Sequence, residues 1–206
     1  MRNFGYIPSK ITASTVRFKA PKTKSLPTKY SLRLLLPQVE DQGEKPYCIP
    51  YSIGTWLNWK YNIKHSGGVT NNHIRYEDIY GSKKSVGNGM TYVEAFNYLK
   101  TKGVRTDRGI MKITEPAIIT SVDLIKVAII ANGPVFASLP VYDVNSSRFW
   151  EKTGDAVGWH SITIVGWDEK GYIIRNSWGK SFGDGGYTHL PYDDENKFRE
   201  IWTIMW

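Results

Sequence analysis

Four residues of the chain have the types that hydrolysis by a thiol nucleophile requires. Gln42 precedes Cys48 by six positions, and His160 and Asn176 follow far downstream. A thiol is a weak nucleophile until it loses its proton, so a catalytic cysteine needs an imidazole to accept the proton and a third group to orient the imidazole. Taken alone, Cys48 would be interpreted as a small buried hydrophobic residue and His160 as a hydrogen-bonded sheet histidine. Together the residues favour catalysis.

The residues after Cys48 predict a helix that presents the thiol at its N-terminus. Between Cys48 and Lys64 apolar and aromatic residues recur at helical spacing, and Pro50 falls in the first turn, where proline is tolerated. The unpaired amide groups and the positive end of the helix dipole stabilise a thiolate at such a position. The predicted helix therefore suits the chemistry.

The rest of the chain is expected to place helices before strands. Two further helices are predicted over 91–102 and 122–132. Short β-rich stretches separated by turn residues follow at 135–141, 160–167, 172–177, 186–190 and 201–206. This order predicts an α+β fold with an antiparallel β lobe and a cleft between the two lobes.

The length of 206 residues fits one domain that buries a substantial core. Within the single domain 1–206 we expect an extended N-terminal segment over 1–25, because these residues are rich in Pro, Lys, Ser and Thr. We expect a mainly helical lobe over 40–132 and a mainly β lobe over 133–206.

Composition excludes several classes of protein. Hydrophobic residues make up 41% and charged residues 22%, which argues against disorder, and the apolar runs are too short for a membrane span. The formal net charge is +8, which favours anionic partners. The basic residues are densest over 19–29, where we predict a solvated linker, and nucleic-acid binding is not expected because no recognised motif accompanies them.

The number and spacing of cysteines and histidines indicate which cellular compartment and which cofactors to expect. Cys48 is the only cysteine, so no internal disulfide can form, and the first residues lack the apolar stretch of a signal peptide. We therefore expect a cytoplasmic or virion-associated protein. The other histidines lack ligand spacing with acidic residues, so neither a metal nor another cofactor is expected.

One motif before Cys48 and three motifs after it occur in an order that is known from one protein family. Gln42-Gly43 precedes Cys48, His160 opens a strand, Asn176-Ser177-Trp178-Gly179 follows, and a glycine-rich turn ends in Gly186-Tyr187. Over about residues 26–190 the chain resembles the papain-like (family C1) cysteine peptidases, and it is most similar to their compact bacterial and phage-type branch. The resemblance implies a two-lobe fold with the active site between the lobes.

The resemblance also implies a role for each residue of the motifs. Cys48 would be the nucleophile, and His160 the general base that later protonates the leaving amine. Asn176 would orient the imidazole, and Gln42 would form the oxyanion hole with the backbone amide of Cys48. Trp178 would shield the hydrogen bond between His160 and Asn176 from water.

A substrate-binding set follows from the same resemblance. Asn88 and Gly89 would lie at the edge that pairs with the substrate backbone, and other residues would line the pocket for the second residue before the scissile bond or flank the base. The set comprises Asn88, Gly89, Met90, Pro134, Ser138, Trp159 and Trp178.

The chain departs from the family pattern in front of the nucleophile. Residues 44–47 form a bulkier loop, and Tyr47 is expected to cap part of the cleft. The separation from Cys48 to His160 is shorter than the roughly 130 residues common in papain-like enzymes, which suggests a trimmed helical lobe.

Three functions remain open from the sequence. The first is a cysteine peptidase acting on peptide or protein substrates. The second is a catalytically weak or inactive scaffold or binding module within a larger assembly, such as a phage particle. The third is an amidase acting on a non-protein amide, such as a peptidoglycan crosslink. Because a general protease would endanger its own cell, restricted specificity or control by a regulatory or assembly partner is expected, and residues 1–25 are a candidate for removal or displacement on activation.

Overall fold

The computed structural model describes residues 4–22, 25–65, 74–84 and 87–206. The helices in these ranges are α1 (Cys48–His65), α2 (Tyr76–Tyr80), α3 (Tyr92–Thr101) and α4 (Ile125–Asn132). The strands are β1 (Tyr30–Ser31), β2 (Val104–Thr106), β3 (Gly109–Met111), β4 (Glu115–Ile118), β5 (Val135–Val141), β6 (Gly158–Asp168), β7 (Gly171–Arg175), β8 (Tyr187–Leu190) and β9 (Ile201–Met205). Short 3-10 helices cover Arg33–Leu35, Val122–Leu124 and Tyr192–Lys197.

The predicted α+β fold is confirmed, with Cys48 at the start of α1. The expected helix over 122–132 begins as a 3-10 turn before it becomes α4. The strand predicted over 135–141 is present with these bounds as β5, and the other four predicted strands are present with shifted ends. The sequence did not predict α2 or the strands β1 to β4. These elements have five residues or fewer, which is too short for a clear periodic pattern.

The large sheet has seven strands in the order β4-β9-β5-β6-β7-β8, and β1 pairs with β6 outside this path. Strands β2 and β3 form a separate hairpin. Pro116 lies in β4, at the edge of the sheet, where a residue without an N–H is tolerated. In the central antiparallel pair, Leu139 of β5 lies opposite His160 of β6, and Ser138 lies opposite Ser161.

Helix α1 packs its buried residues against β6. The hydroxyls of Ser52 and Ser161 are 2.6 Å apart, and Thr163 donates a hydrogen bond to the carbonyl of Ser52 at 3.1 Å. The hydroxyl of Tyr92, at the start of α3, lies 2.5 Å from that of Ser161. This buried chain of hydroxyls joins α1, α3 and β6 just behind Cys48 and His160.

The N-terminal segment pairs with two distant parts of the chain. Tyr6 forms a parallel bridge with Met90, and Arg17 forms one with Ile118 in β4. Phe18 is buried beside the second bridge, and the segment then reaches β1. The described part of 1–25 has a turn at 12–15, where the Thr15 N–H donates to the carbonyl of Thr12, and no helix; residues 1–3 and 23–24 lie outside the described ranges.

The lobe boundaries at 40–132 and 133–206 remain predictions. All four helices fall in the first range, but β4 also falls there and pairs with β9 in the large sheet. Among the described residues, no helix combines the length and the apolar character that a bilayer crossing needs.

Candidate active site

Cys48 is the first residue of α1 and is fully buried. Burial raises the pKa of the Cys48 thiol to about 12, because a charged thiolate loses its hydration there. Backbone groups of Ser161, Ile49 and Cys48 itself hydrogen-bond to the sulfur. These contacts lower the pKa of the thiol, but by less than burial raises it. In this state the side chain is therefore a neutral thiol at pH 7.

The backbone contact from Ser161 also locates the imidazole relative to the thiol. Ser161 follows His160 in β6, so a hydrogen bond from Ser161 to the sulfur of Cys48 brings the histidine to the N-terminus of α1. The His160 side chain is completely buried. The helix and the sheet thus meet at the two residues predicted to exchange a proton.

His160 and Asn176 are joined by a hydrogen bond of 2.7 Å between Nε2 and Oδ1. The backbone N–H of Ser177 donates to the same Oδ1 at 2.7 Å, which fixes that atom as the amide oxygen. An amide oxygen only accepts hydrogen bonds, so His160 Nε2 carries the proton and Nδ1 of the neutral ring is the basic atom. This tautomer can accept the thiol proton.

Aromatic side chains enclose this hydrogen bond. The Trp178 ring lies 4.7 Å from the His160 ring, measured between centroids. The Phe149 ring lies 4.9 Å from that of Trp178 and 5.8 Å from that of His160. Trp178 and Phe149 are buried. A hydrogen bond in such an apolar setting is stronger than one exposed to water.

Gln42 is held next to the residues that follow Asn176. Its backbone N–H donates to the carbonyl of Ser177 at 2.9 Å, and its side-chain oxygen accepts from the Ser177 hydroxyl at 2.6 Å. The side-chain nitrogen donates to the carbonyl of Lys45 at 2.8 Å. Gln42 is buried, and both ends of its amide are therefore fixed.

Two residues that support the site were not singled out from the sequence. Ser177 contacts both Asn176 and Gln42, and Arg175 donates to the carbonyls of Pro37 and Gln38 at 2.8 Å and 3.0 Å. Arg175 is buried at the end of β7, so it ties the loop leading to Gln42 onto the sheet. The sequence feature that could have indicated a supporting role for Arg175 and Ser177 is that they flank Asn176.

The backbone at Gly89 and Met90 pairs with the N-terminal segment. The Met90 N–H donates to the carbonyl of Gly5 at 2.9 Å, and the Ile7 N–H donates to the carbonyl of Met90 at 3.0 Å. A Cβ at Gly89 would lie 2.7 Å from the Gly5 oxygen, which explains why the residue is a glycine. This edge binds an extended segment of the chain itself, and its pairing with a substrate backbone stays a prediction.

Phe4 and Gly5 lie against the residues that surround the thiol and the imidazole. The Phe4 ring is 6.2 Å from the rings of both His160 and Trp178. Gly5 has a φ of +69°, and a Cβ there would lie 2.1 Å from the carbonyl oxygen of Pro46. The N-terminal segment is thus in tight contact with both sides of the site.

Tyr6 fills a pocket beside this edge. Its hydroxyl donates to the carboxylate of Glu200 at 2.6 Å, and its ring is 6.0 Å from that of Tyr92 and 6.4 Å from that of Trp159. Burial first, and then the hydrogen bond to Glu200, raise the pKa of Tyr6. Ser138 also hydrogen-bonds to the Tyr6 side chain. Met90, Ser138 and Trp159, three of the predicted pocket residues, therefore all lie around the segment.

Two members of the predicted set, Pro134 and Asn88, show no contact with the described residues of the segment that fills this pocket. Pro134 precedes β5 and is four residues from Ser138, or about 13 Å along an extended strand. Its place in the pocket stays a prediction. Asn88 is exposed just before Gly89.

Tyr47 also differs from its expected position. Its ring packs 4.4 Å from that of Tyr80 in α2, between centroids, and Lys45 forms an ion pair with Glu77 of the same helix at 3.1 Å. The loop over 44–47 is thus directed onto α2. On the side of the N-terminal segment, the ring that lies against His160 is that of Phe4.

Within the described ranges, no group of three or more His, Cys, Asp or Glu side chains is arranged to hold a metal ion. His189 instead forms a hydrogen bond of 2.9 Å with Asp168, at the turn between β6 and β7. The chemistry available at the site is that of Cys48, His160, Asn176 and Gln42.

Comparison with known proteins agrees with this site. The sequence profile described as "Papain family cysteine protease" matches residues 54–201, which include His160 and Asn176 and begin after Cys48. A cathepsin B-like cysteine proteinase of Ostertagia ostertagi is 36% identical over 161 residues, covering 73% of this chain and 41% of that protein. An uncharacterized peptidase C1-like protein of Acanthamoeba polyphaga mimivirus is 31% identical over 98 residues, covering 41% of this chain and 32% of that protein. The matches thus span less than half the length of these two relatives.

Solved structures share the fold. Xylellain, a cysteine protease from Xylella fastidiosa, superposes with a TM-score of 0.82 at 20% identity, covering 99% of this chain and 96% of that chain. A procathepsin B of Trypanosoma congolense has a TM-score of 0.78 at 14% identity, covering 99% of this chain and 86% of that chain. The two-lobe arrangement is common to all three chains.

Proposed function

Since the chain belongs to the papain family of cysteine proteases, we propose that it hydrolyses peptide bonds through Cys48. The observation that carries the proposal is the hydrogen bond of 2.7 Å between His160 Nε2 and Asn176 Oδ1. This bond leaves Nδ1 as the basic atom of a histidine next to the nucleophile. The assignment of a bacterial or phage-type branch remains a prediction.

The proposed reaction has two halves. His160 takes the Cys48 proton, the thiolate attacks the peptide carbonyl, and the resulting oxyanion accepts hydrogen bonds from Gln42 and the Cys48 amide. The imidazolium then protonates the leaving amine, and a thioester remains on Cys48. In the second half His160 takes a proton from water, the hydroxide attacks the thioester, and the acid product and the thiol are released.

Peptide substrates are favoured over non-protein amides by the edge at Gly89 and Met90. Both backbone groups of Met90 hydrogen-bond to an extended peptide, residues 5–7 of the chain itself. A peptidoglycan crosslink would offer fewer regularly spaced backbone groups to this edge. The same contacts support a protein or peptide as the partner of the site.

The proposal includes control by the N-terminal segment. Residues 4–9 occupy the cleft, and the nucleophile beside them is completely buried. A substrate carbonyl cannot reach Cys48 while Phe4 and Gly5 keep these positions, so the segment must be cut or displaced before turnover. A regulatory or assembly partner could displace it, and the lone cysteine supports a cytoplasmic or virion-associated setting.

A peptide-library digest tests the peptidase proposal. The enzyme is the Gly5→Ala variant, in which a Cβ would contact Pro46 and force the segment out. The control is the same variant with Cys48→Ala. We expect cleavage by the first and none by the second. Equal cleavage by both would exclude Cys48 as the nucleophile, and no cleavage by either would favour a binding module.

A further inference from the structure

A cavity of about 440 Å³ lies at the C-terminal end of α1, between that helix and the β2–β3 hairpin. Basic side chains of the helix, of the hairpin and of the residue after it line the cavity: Lys60, Lys64, His65, Arg108 and Lys112. Among the described residues of this lining, none is acidic. The volume is in the range of sites that bind small molecules.

The ordinary charge preference of a helix end accounts for only part of this cluster. Lys64 and His65 lie in the last turn of α1, where cations interact favourably with the helix dipole. Lys60 lies one turn earlier on the same face, so its charge and that of Lys64 repel each other. Burial first, and then the charge of Lys64, lower the pKa of Lys60. Arg108 and Lys112 bring further positive charge from outside the helix, and a bound anion would relieve this repulsion.

The Arg108 side chain is held against the helix. Its Nε donates to the Tyr61 hydroxyl at 3.2 Å, and this hydroxyl donates to Asp107 at 2.6 Å. The Thr106 hydroxyl accepts from the Arg108 N–H at 3.2 Å and donates to the carbonyl of Gly109 at 2.9 Å, which closes the hairpin turn. The terminal nitrogens of the guanidinium can then donate to the oxygens of an anion.

The ammonium group of Lys60 is also fixed, by aromatic rings. Its Nζ lies 2.8 Å from the centroid of the Trp206 ring, and the Trp206 ring lies 5.9 Å from that of Trp59. A cation over the face of a tryptophan is attracted by the ring. The cavity thus holds one ammonium and one guanidinium in set positions on two different elements.

We propose that this cavity binds a small molecule that carries two or three linked phosphate groups. Phosphate oxygens accept strong hydrogen bonds from ammonium and guanidinium groups, and linked phosphates present several charges to several cations. The net charge of +8 attracts such an anion from a distance. A nucleic acid would instead need a basic stripe along the surface.

This site is separate from the catalytic residues. Cys48 is at the other end of α1, and the 18 residues of the helix span about 27 Å. Binding can therefore be measured whether or not the chain is a peptidase.

Calorimetric titration of the full chain at pH 7 and low salt tests the site, with tripolyphosphate and ATP as separate probes. Lys64→Gln with Lys112→Gln removes two exposed charges from the cavity. Lys22→Gln with Lys152→Gln removes the same charge from exposed positions elsewhere and is the matched control. We expect the native chain to bind both probes, the cavity variant to bind them at least about 10-fold more weakly, and the control to differ by less than about twofold.

The two probes distinguish the sources of the phosphate chain. Equal affinities would identify the phosphates alone as the recognised group. Tighter binding of ATP, by several-fold, would identify a nucleotide whose base contacts the tryptophan rings of the cavity. Both results uphold the site.

Equal weakening of binding in the cavity and control variants would show attraction to net charge alone and would overturn the proposal. Absence of binding by the native chain at about 1 mM of either probe would overturn it as well. So would tighter binding of a single-stranded RNA oligonucleotide than of either probe. Lys64→Arg with Lys112→Arg guards against misfolding of the glutamine variant. It should keep the native affinity within about threefold, because the charge and the N–H donors remain, and a loss as large as that of the glutamine variant would contradict the site.

Discussion

The residues around His160 and the segment that covers them are held in different ways. His160 and Asn176 lie on one hairpin of the large sheet, and they are 0% and 4% exposed. The segment over 4–9 reaches the same place from the start of the chain, through two backbone hydrogen bonds to Met90, the contact of Tyr6 with Glu200, and ring contacts of Phe4. The site is built from strands of the core, whereas the cover is a separate stretch of chain in which Gly5 and Tyr6 are buried and the residues around them are partly exposed. Substitutions that release the cover should therefore leave the catalytic geometry intact.

The largest expected effect comes from removing the base. In the uncovered Gly5→Ala variant, His160→Ala is expected to lower kcat/KM by about 10²- to 10⁴-fold, the usual contribution of a positioned general base. His189→Ala is the matched control, since His189 bonds to Asp168 away from Cys48. Steady-state kinetics on a fluorogenic peptide would measure both. Similar losses in the two variants would indicate a structural effect rather than a catalytic one.

The covered state also predicts a pH dependence for the thiol. The pKa of Cys48 is about 12 with the segment in place, so the reactive thiolate should increase about tenfold per pH unit from pH 6 to 9. Displacing the segment admits water and lowers this pKa, so the Gly5→Ala variant should react at mildly acidic pH. Iodoacetamide labelling followed by intact mass measures the rates. A labelling rate of the native chain that levels off below pH 8 would be inconsistent with a buried neutral thiol.

The sequence predicted the parts of the site that short-range patterns determine. The helix starting at Cys48 follows from apolar spacing and Pro50, and the strands that carry His160 and Asn176 follow from β-rich stretches between turns. The cover was not predicted, because the pairing of Gly5 with Met90 joins distant parts of the chain and leaves no periodic signal in either. Glu200 was missed for the same reason, since its role depends on Tyr6. The orientation of Tyr47 depends on α2, which is too short to predict.

A smaller effect on catalysis is expected from removing a hydrogen bond that orients Gln42. Ser177→Ala removes the hydroxyl that donates to Gln42 Oε1, so the side-chain amide of Gln42 is less well oriented toward a developing oxyanion. We expect kcat to fall about 5- to 20-fold with KM little changed, in line with the loss of one buried hydrogen bond. Ser147→Ala, on an exposed loop, is the control. A change confined to KM would show that Ser177 acts on substrate binding instead.

The smallest effect is expected at the loop before the nucleophile. Tyr47→Ala removes a ring that packs on Tyr80, away from the Phe4 contact with His160. The labelling rate of Cys48 in the native chain should change less than about twofold, as for substitutions outside the core. A tenfold faster reaction in this variant would mean that Tyr47, and not the N-terminal segment, restricts access.

The most direct measurement of the central claim compares Cys48 labelling in three full-length proteins at pH 6. These are the native chain, Gly5→Ala and Lys10→Ala, an exposed position of the same segment. A left-handed alanine costs about 1–2 kcal/mol even before the contact with Pro46, so Gly5→Ala should label at least about 10-fold faster, while Lys10→Ala should match the native chain. Equal rates in all three proteins would contradict control of Cys48 by the N-terminal segment.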